Sequence, residues 1–318
     1  MNHVTNGLCE KKRSPGKPLQ LTRRTALASL TASGIGLGLH SGLVRAQTPT
    51  ADDVTRETDV VYGEIDGNSL LLDVYRLPDR GTPRPAVILI YGNSFTAGYA
   101  SRSQMFYAAS ALALRNYVCF VVDFRLLTGQ PGVNLWPAQL DDVQRAVRWV
   151  RANAAPYGVD PKRIGSYGLS SGGQLAAMLG LRETQDNSDA SLSQFSSRVA
   201  CVVTVVGGYD MTIPFSDTDD NQVILNLLGG TLAEEPAAYR DASPIAWVDQ
   251  ESAPFLILQD SSSSDVLVAR AMAAALEEAA DEVVYVEYPD VTHFSWTDWN
   301  LCAPWTQPFL DLHLWPDR

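Results

Sequence analysis

Apolar and polar residues along this chain of 318 residues follow first one period and then another. Residues 59–65 and 70–77 read as a strand pair around Asp66-Gly67-Asn68, whose turn chemistry predicts an antiparallel start. Past Pro83 and Pro85 the pattern changes. Residues 86–90 form a continuous apolar run closed by Gly92, which suits a strand buried on both faces. Residues 103–117 then carry apolar positions at helical spacing, 118–124 read as a second buried strand, and 137–153 as an amphipathic helix with Leu140, Val143, Val147, Trp149 and Val150. The alternation continues through strands at 163–168, 200–206, 254–259 and 283–288, with helices at 172–181 and 266–279, and ends in a segment around 308–314. This rhythm specifies an α/β fold, a mostly parallel sheet with helices on both faces. The interval 209–248 is longer than the alternation requires and holds a helical stretch at 233–239. It reads either as a lid or cap insertion or as an ordinary long connection with one extra helix.

The first 46 residues belong to neither period. Lys11, Lys12, Arg13 and Lys17 precede Thr22-Arg23-Arg24, and an apolar stretch over 26–43 follows, broken by Gly34, Gly36, Gly38 and His40. Val44 and Ala46 suit cleavage before Gln47. Residues 1–46 therefore read as an export signal peptide of the twin-arginine type, handled by the twin-arginine export machinery and leaving a periplasmic or extracellular protein. A stable membrane anchor is not expected, because spanning takes about 20 predominantly apolar residues without such breaks. Residues 47–318 are then one domain of a size that a single core supports.

Charge narrows the range of partners. The whole chain carries −12, and the leader holds seven of its basic residues against one acid, so the remainder is more acidic still, with Lys162 as its single lysine. Nucleic acid is not an expected partner of such a surface. Cys119, Cys201 and Cys302 are an odd set without paired spacing, and Cys119 and Cys201 lie in β-branched apolar runs as buried strand residues do. Beyond the leader only His293 and His313 remain, too few for a histidine-rich metal site.

Gly168-Leu169-Ser170-Ser171-Gly172-Gly173 matches G-x-S-x-G between an expected strand and an expected helix. In that context the glycines permit a sharp turn, the serine stands at the sheet edge, and the helix N-terminus supplies positive potential for a developing oxyanion. A serine hydroxyl needs a base. His293, just past the last strand in Tyr288-Pro289-Asp290-Val291-Thr292-His293, is the better placed of the two histidines, and His313 in the closing segment reads as structural.

These residues resemble the carboxylesterase branch of the α/β-hydrolase superfamily, which includes hormone-sensitive-lipase-like and acetyl-xylan and feruloyl esterase-like enzymes. The likeness rests on Val122-Asp123-Phe124-Arg125, Trp136-Pro137-Ala138-Gln139-Leu140-Asp141-Asp142, Tyr157-Gly158-Val159-Asp160-Pro161 leading to Ser170, and Ala242-Ser243-Pro244-Ile245. It implies an eight-stranded α/β-hydrolase sheet, no metal or organic cofactor, and ester hydrolysis through an acyl-enzyme. Two departures stand out. Where the branch carries His-Gly-Gly-Gly, this chain has Tyr91-Gly92-Asn93-Ser94, so the resemblance assigns the oxyanion hole to the amides of Asn93, Ser94 and Ser171. Where the branch has its acid, this chain has Gln259-Asp260-Ser261-Ser262-Ser263; Asp265 fits best if two residues are inserted, followed by Asp260 and then Asp210. The expectation is a serine esterase acting on short acyl esters, acetyl or feruloyl esters of polysaccharide among them. Its rivals are a serine peptidase of the prolyl-oligopeptidase type and a catalytically silent binding protein of the same fold.

Overall fold

The computed structural model describes residues 49–79, 81–215, 218–261, 265–279 and 282–315, with the backbone of a short strand at 19–21. In chain order its elements are β1 (Leu19–Leu21), β2 (Thr55–Ile65), β3 (Asn68–Arg76), β4 (Arg84–Ile90), α1 (Phe106–Leu114), β5 (Val118–Val122), α2 (Ala138–Ala152), α3 (Ala154–Tyr157) and β6 (Val159–Leu169). There follow α4 (Ser171–Leu181), β7 (Val202–Val205), α5 (Thr218–Leu228), α6 (Pro236–Asp241), β8 (Phe255–Asp260), α7 (Val266–Ala279), β9 (Val283–Tyr288) and α8 (Trp299–Leu314).

The opening hairpin closes as its turn residues dictate. Asp66 and Gly67 both have positive φ, at 51° and 77°, and Ile65 pairs with Asn68, which is the two-residue hairpin geometry. The sheet order is β1-β9-β8-β7-β6-β4-β5-β3-β2. From β5 through β4 and β6 to β9 every pairing is parallel, while β3 joins β5, and β2 joins β3, antiparallel. The eight strands β2–β9 are thus the expected α/β-hydrolase sheet, and β1 adds a ninth at the β9 edge, with Leu19 opposite Glu287. The rest of the expected leader, its paired arginines and cleavage point included, lies outside the described residues. Among the described residues no helix is long and apolar enough to cross a membrane.

β4, β5, β7 and β8 are buried along their whole length, as continuous apolar runs between two helical layers must be. Helix α1 packs on β3 and β5 and meets α8, which lies on β6 and β8; α2 meets α4, which lies on β6 and β7. Cys119, Cys201 and Cys302 are buried thiols. The chain leaves β4 for β5 on one side and then crosses back to β6 on the other, which opens a crevice beyond the carboxyl ends of β4 and β6.

Two elements exceed their sequence signal. Helix α8 begins at Trp299 and runs through Pro304 and Pro308. Its buried Cys302, Thr306, Phe309, Leu310 and Leu314 recur at helical spacing, and this packing outweighs the loss of two amide donors. Among the described residues the interval 209–248 contains two α-helices rather than one, with α5 preceding α6.

Candidate active site

Ser170 stands between the end of β6 and the start of α4 with φ 56° and ψ −122°, a conformation that costs a non-glycine residue about 1–3 kcal/mol. Its neighbours explain how the turn is held. A Cβ on Gly168 would lie 2.0 Å from the carbonyl oxygen of Gly172, and one on Gly172 would lie 2.2 Å from that of Ile90. Only glycines allow β6, α4 and β4 to approach this closely. The Ser170 amide is tied to the Val205 carbonyl at 2.9 Å, so the strain is maintained by the sheet.

His293 arrives from the other side. Asp290, at φ 62°, turns the chain after β9, and a capping box between Thr292 and Ser295 starts a single helical turn, His293–Thr297. Trp296 in that turn is only 1 % exposed and packs edge-on against Tyr288 at 5.2 Å. The turn is thereby fixed with the His293 Nε2 atom 3.0 Å from the Ser170 Oγ atom. His313 instead packs at a tilt against Phe309, with ring centroids 4.5 Å apart, beside Glu282, and its burial pulls its pKa below the usual imidazole value. The nearby tryptophans serve packing: Trp305 Nε1 donates to the Tyr288 hydroxyl at 2.8 Å, and Trp299 lies on Tyr167. Of the aromatic residues past the base, Phe294 stands out in solvent at the cleft mouth, 82 % exposed.

The three aspartates singled out in the sequence separate clearly. Asp265, just ahead of α7, lines the same cleft as Ser170 and His293 on both of its sides. Asp260 ends β8 and is almost wholly buried, bordering the cleft on one side. Asp210 accepts from the amide and the hydroxyl of Thr212 within its own turn.

The loop after β4 keeps its shape by means other than glycine. The Tyr91 hydroxyl donates to Asp123 at 3.0 Å, and the Gly92 amide donates to Gln104 Oε1 at 2.8 Å. Gly92 lies against the serine turn, where a Cβ would stand 2.5 Å from the Leu169 carbonyl oxygen. Beyond it Ser94 and Phe95 adopt positive φ, 48° and 56°, held by the Phe95 amide donating to Asn93 Oδ1 at 3.0 Å. The Asn93 amide, expected to face an oxyanion, donates instead to the Ser171 hydroxyl at 3.0 Å. Ser94 lines the cleft, and Ser171 is the first residue of α4, where helix amides have no partner within the helix.

A small cavity of about 60 Å³ opens beside Ser170. Its apolar wall is Phe95, Val206, Met211, Phe215, Val223 and Ile224, four of them from the interval 209–248. That interval therefore forms part of the site's wall, with α5 carrying Asp220, whose Oδ1 accepts from the Ser94 hydroxyl at 3.2 Å. Sequence reasoning missed these residues, along with Gln104; the only signal was the excess length of the interval.

Residues 72–279 match the BD-FAE family model. The chain is 31% identical over 284 residues to a probable carboxylic ester hydrolase, LipM, of Mycobacterium tuberculosis (strain ATCC 25618 / H37Rv), covering 85% of this chain and 64% of that one. It is 33% identical over 247 residues to the esterase LipC of the same organism, covering 74% and 58%. The chain thus spans about three fifths of the length of these curated relatives. Among solved structures, a truncated carbohydrate esterase from gut microbiota superposes with a TM-score of 0.62 at 27% identity, covering 78% of this chain and 92% of that one. Butyrate-bound esterase 2 of Thermogutta terrifontis superposes equally well, with a TM-score of 0.62 at 22% identity over 77% and 86% of the two chains, and shares the fold. With the family model spanning well over half of the chain and the strand order matching the expected sheet, the chain belongs to the BD-FAE family, within the carboxylesterase branch of the α/β-hydrolases.

Proposed function

We propose that this chain is an exported serine esterase that hydrolyses short acyl esters through an acyl-enzyme. The single observation that carries the reading is the 3.0 Å contact between Ser170 Oγ and His293 Nε2 on a strained strand-to-helix turn. Ser170 Oγ attacks the ester carbonyl while His293 takes its proton, and the carbonyl oxygen becomes an oxyanion beside the amides of Ser94 and Ser171. The C–O bond to the alcohol then breaks, and His293 returns the proton to the leaving oxygen. Water repeats the sequence on the acyl-enzyme and releases the acid. Asp265 is the residue we assign to orient the His293 ring and to stabilise its charged form.

The amide of Asn93 becomes a third donor to the oxyanion once the Ser171 hydroxyl rotates away from it. The size and apolar lining of the cavity favour an acyl group of a few carbons. Acetyl or feruloyl esters of polysaccharide are the substrates of this reading, supported by the likeness to a carbohydrate esterase from gut microbiota. Export through the twin-arginine machinery follows from the residues of the leader, Arg23 and Arg24 ahead of the interrupted apolar stretch.

The test is fluorophosphonate labelling of the folded protein with turnover of p-nitrophenyl acetate and butyrate. Labelling and turnover that both vanish in Ser170→Ala are the expected result. A folded wild type that takes no label sinks the enzyme reading in favour of a binding role, and cleavage of aminoacyl-anilides in preference to esters would make it a peptidase. Secretion that survives replacement of Arg23 and Arg24 by lysine would contradict the export route.

A further inference from the structure

Asp220 is placed where the helical insertion meets the catalytic loop. It lies in the first turn of α5, lines both sides of the cleft that holds Ser170 and His293, and accepts the Ser94 hydroxyl at 3.2 Å. Ser94 is itself held at φ 48°, so the hydrogen bond fixes a residue whose backbone is under strain and which lines the same cavity as Ser170. The charge of the cleft is one-sided. Asp219, Asp220, Asp260 and Asp265 line it, and among the described residues no lysine or arginine does. The neighbouring sequence at 216–217 and 262–264 adds no basic residue.

We propose that Asp220 is a positioning and specificity-determining residue: its carboxylate holds Ser94 in the oxyanion loop and at the same time repels esters that carry a negative charge near the scissile bond. This rests on the ester-hydrolase reading. The two roles are separable, because an asparagine in its place keeps an oxygen that accepts from Ser94 and loses the charge. A carboxylate in the substrate feels the charge of Asp220 across a partly desolvated cleft, where like charges repel more strongly than in bulk water. An anionic ester is therefore a poorer substrate than its neutral counterpart, and the penalty falls as salt screens it.

The experiment compares methyl 4-acetoxybenzoate with 4-acetoxybenzoate, which share the acetyl group and differ in the charge of the alcohol moiety. The kcat/KM ratio of the anionic to the neutral ester is expected to rise about fivefold in Asp220→Asn. High salt should raise the same ratio in the wild type more than in the variant. Asp220→Ala should lower kcat on the neutral ester severalfold beyond Asp220→Asn, with KM moved less than kcat. A ratio that is the same in wild type and Asp220→Asn, or a kcat that is the same in Asp220→Ala and Asp220→Asn, overturns the proposal and leaves ester hydrolysis standing. Absence of turnover of the neutral ester by the wild type overturns both.

Discussion

At the scale of the residue, the chemistry depends on a few atoms held against their own preferences. Ser170 is held at a positive φ by the sheet, and His293 by the burial of Trp296 three residues on. Replacing Ser170 by alanine should lower kcat on p-nitrophenyl butyrate by about 10⁴-fold or more, read by steady-state kinetics with the circular dichroism spectrum preserved. The two carboxylates differ in the kind of loss they predict. Asp265→Asn should cut kcat by roughly 10²–10⁴-fold at little cost in Tm, as expected where an acid orients the base. Asp260, buried at the end of β8, should show the opposite pattern, with Asp260→Asn lowering Tm more than kcat. If the two results are exchanged, the acid is Asp260.

At the scale of the element, the turn between β6 and α4 and the loop after β4 form one packed unit. Gly92 and Gly172 are where their backbones touch, at distances that leave no room for a Cβ. Gly172→Ala should therefore lower Tm and reduce fluorophosphonate labelling together, since the Ile90 carbonyl can yield only by shifting β4. Tyr91→Phe removes the donor to Asp123 and should cost about 1 kcal/mol in urea unfolding. Its effect on kcat should exceed what this loss of stability explains, because the same loop carries Ser94. The substitution of Asn93 and Ser94 for the family's glycines did not predict this arrangement. The sequence shows which side chains stand there, whereas the hydrogen bonds to Asp123, Gln104 and Ser171 come from residues 12–78 positions away in the chain.

At the scale of the whole molecule, stability is set against a net charge of −12 and a set of half-buried carboxylates. Burial, with Asp186 adding to it, raises the Asp141 pKa from 3.8 to about 6. A folded-state pKa above the unfolded one contributes stability that is full below the unfolded value and lost as pH rises through about 6. Asp141→Asn should accordingly raise Tm relative to wild type at pH 7.5 and gain far less at pH 4, in paired thermal melts. Glu287 has the opposite sign. The Arg270 guanidinium holds its carboxyl below the ordinary value of 4.5, so its contribution is present above that value and lost as pH falls through the folded-state pKa. The acid limb of the Tm profile should flatten in Glu287→Gln.

The order of strands and helices, the hairpin at Asp66-Gly67, the strand-to-helix turn at Ser170 and the histidine that lies beside it were all legible in the sequence. Each rests on local chemistry: hydrophobic period, turn residues and glycines at fixed offsets. The helical course of α8 through two prolines, the presence of α5 in the interval 209–248 and its place in the cleft were decided by tertiary structure alone. Those features are the product of burial against elements far away in the chain, and local propensity points the other way or is silent. The partnership of Asp220 with Ser94, 126 residues apart, belongs to the same class. A sequence read along its length carries the period of each element, but a hydrogen bond across a cleft exists only once the sheet order has set which loops share an edge.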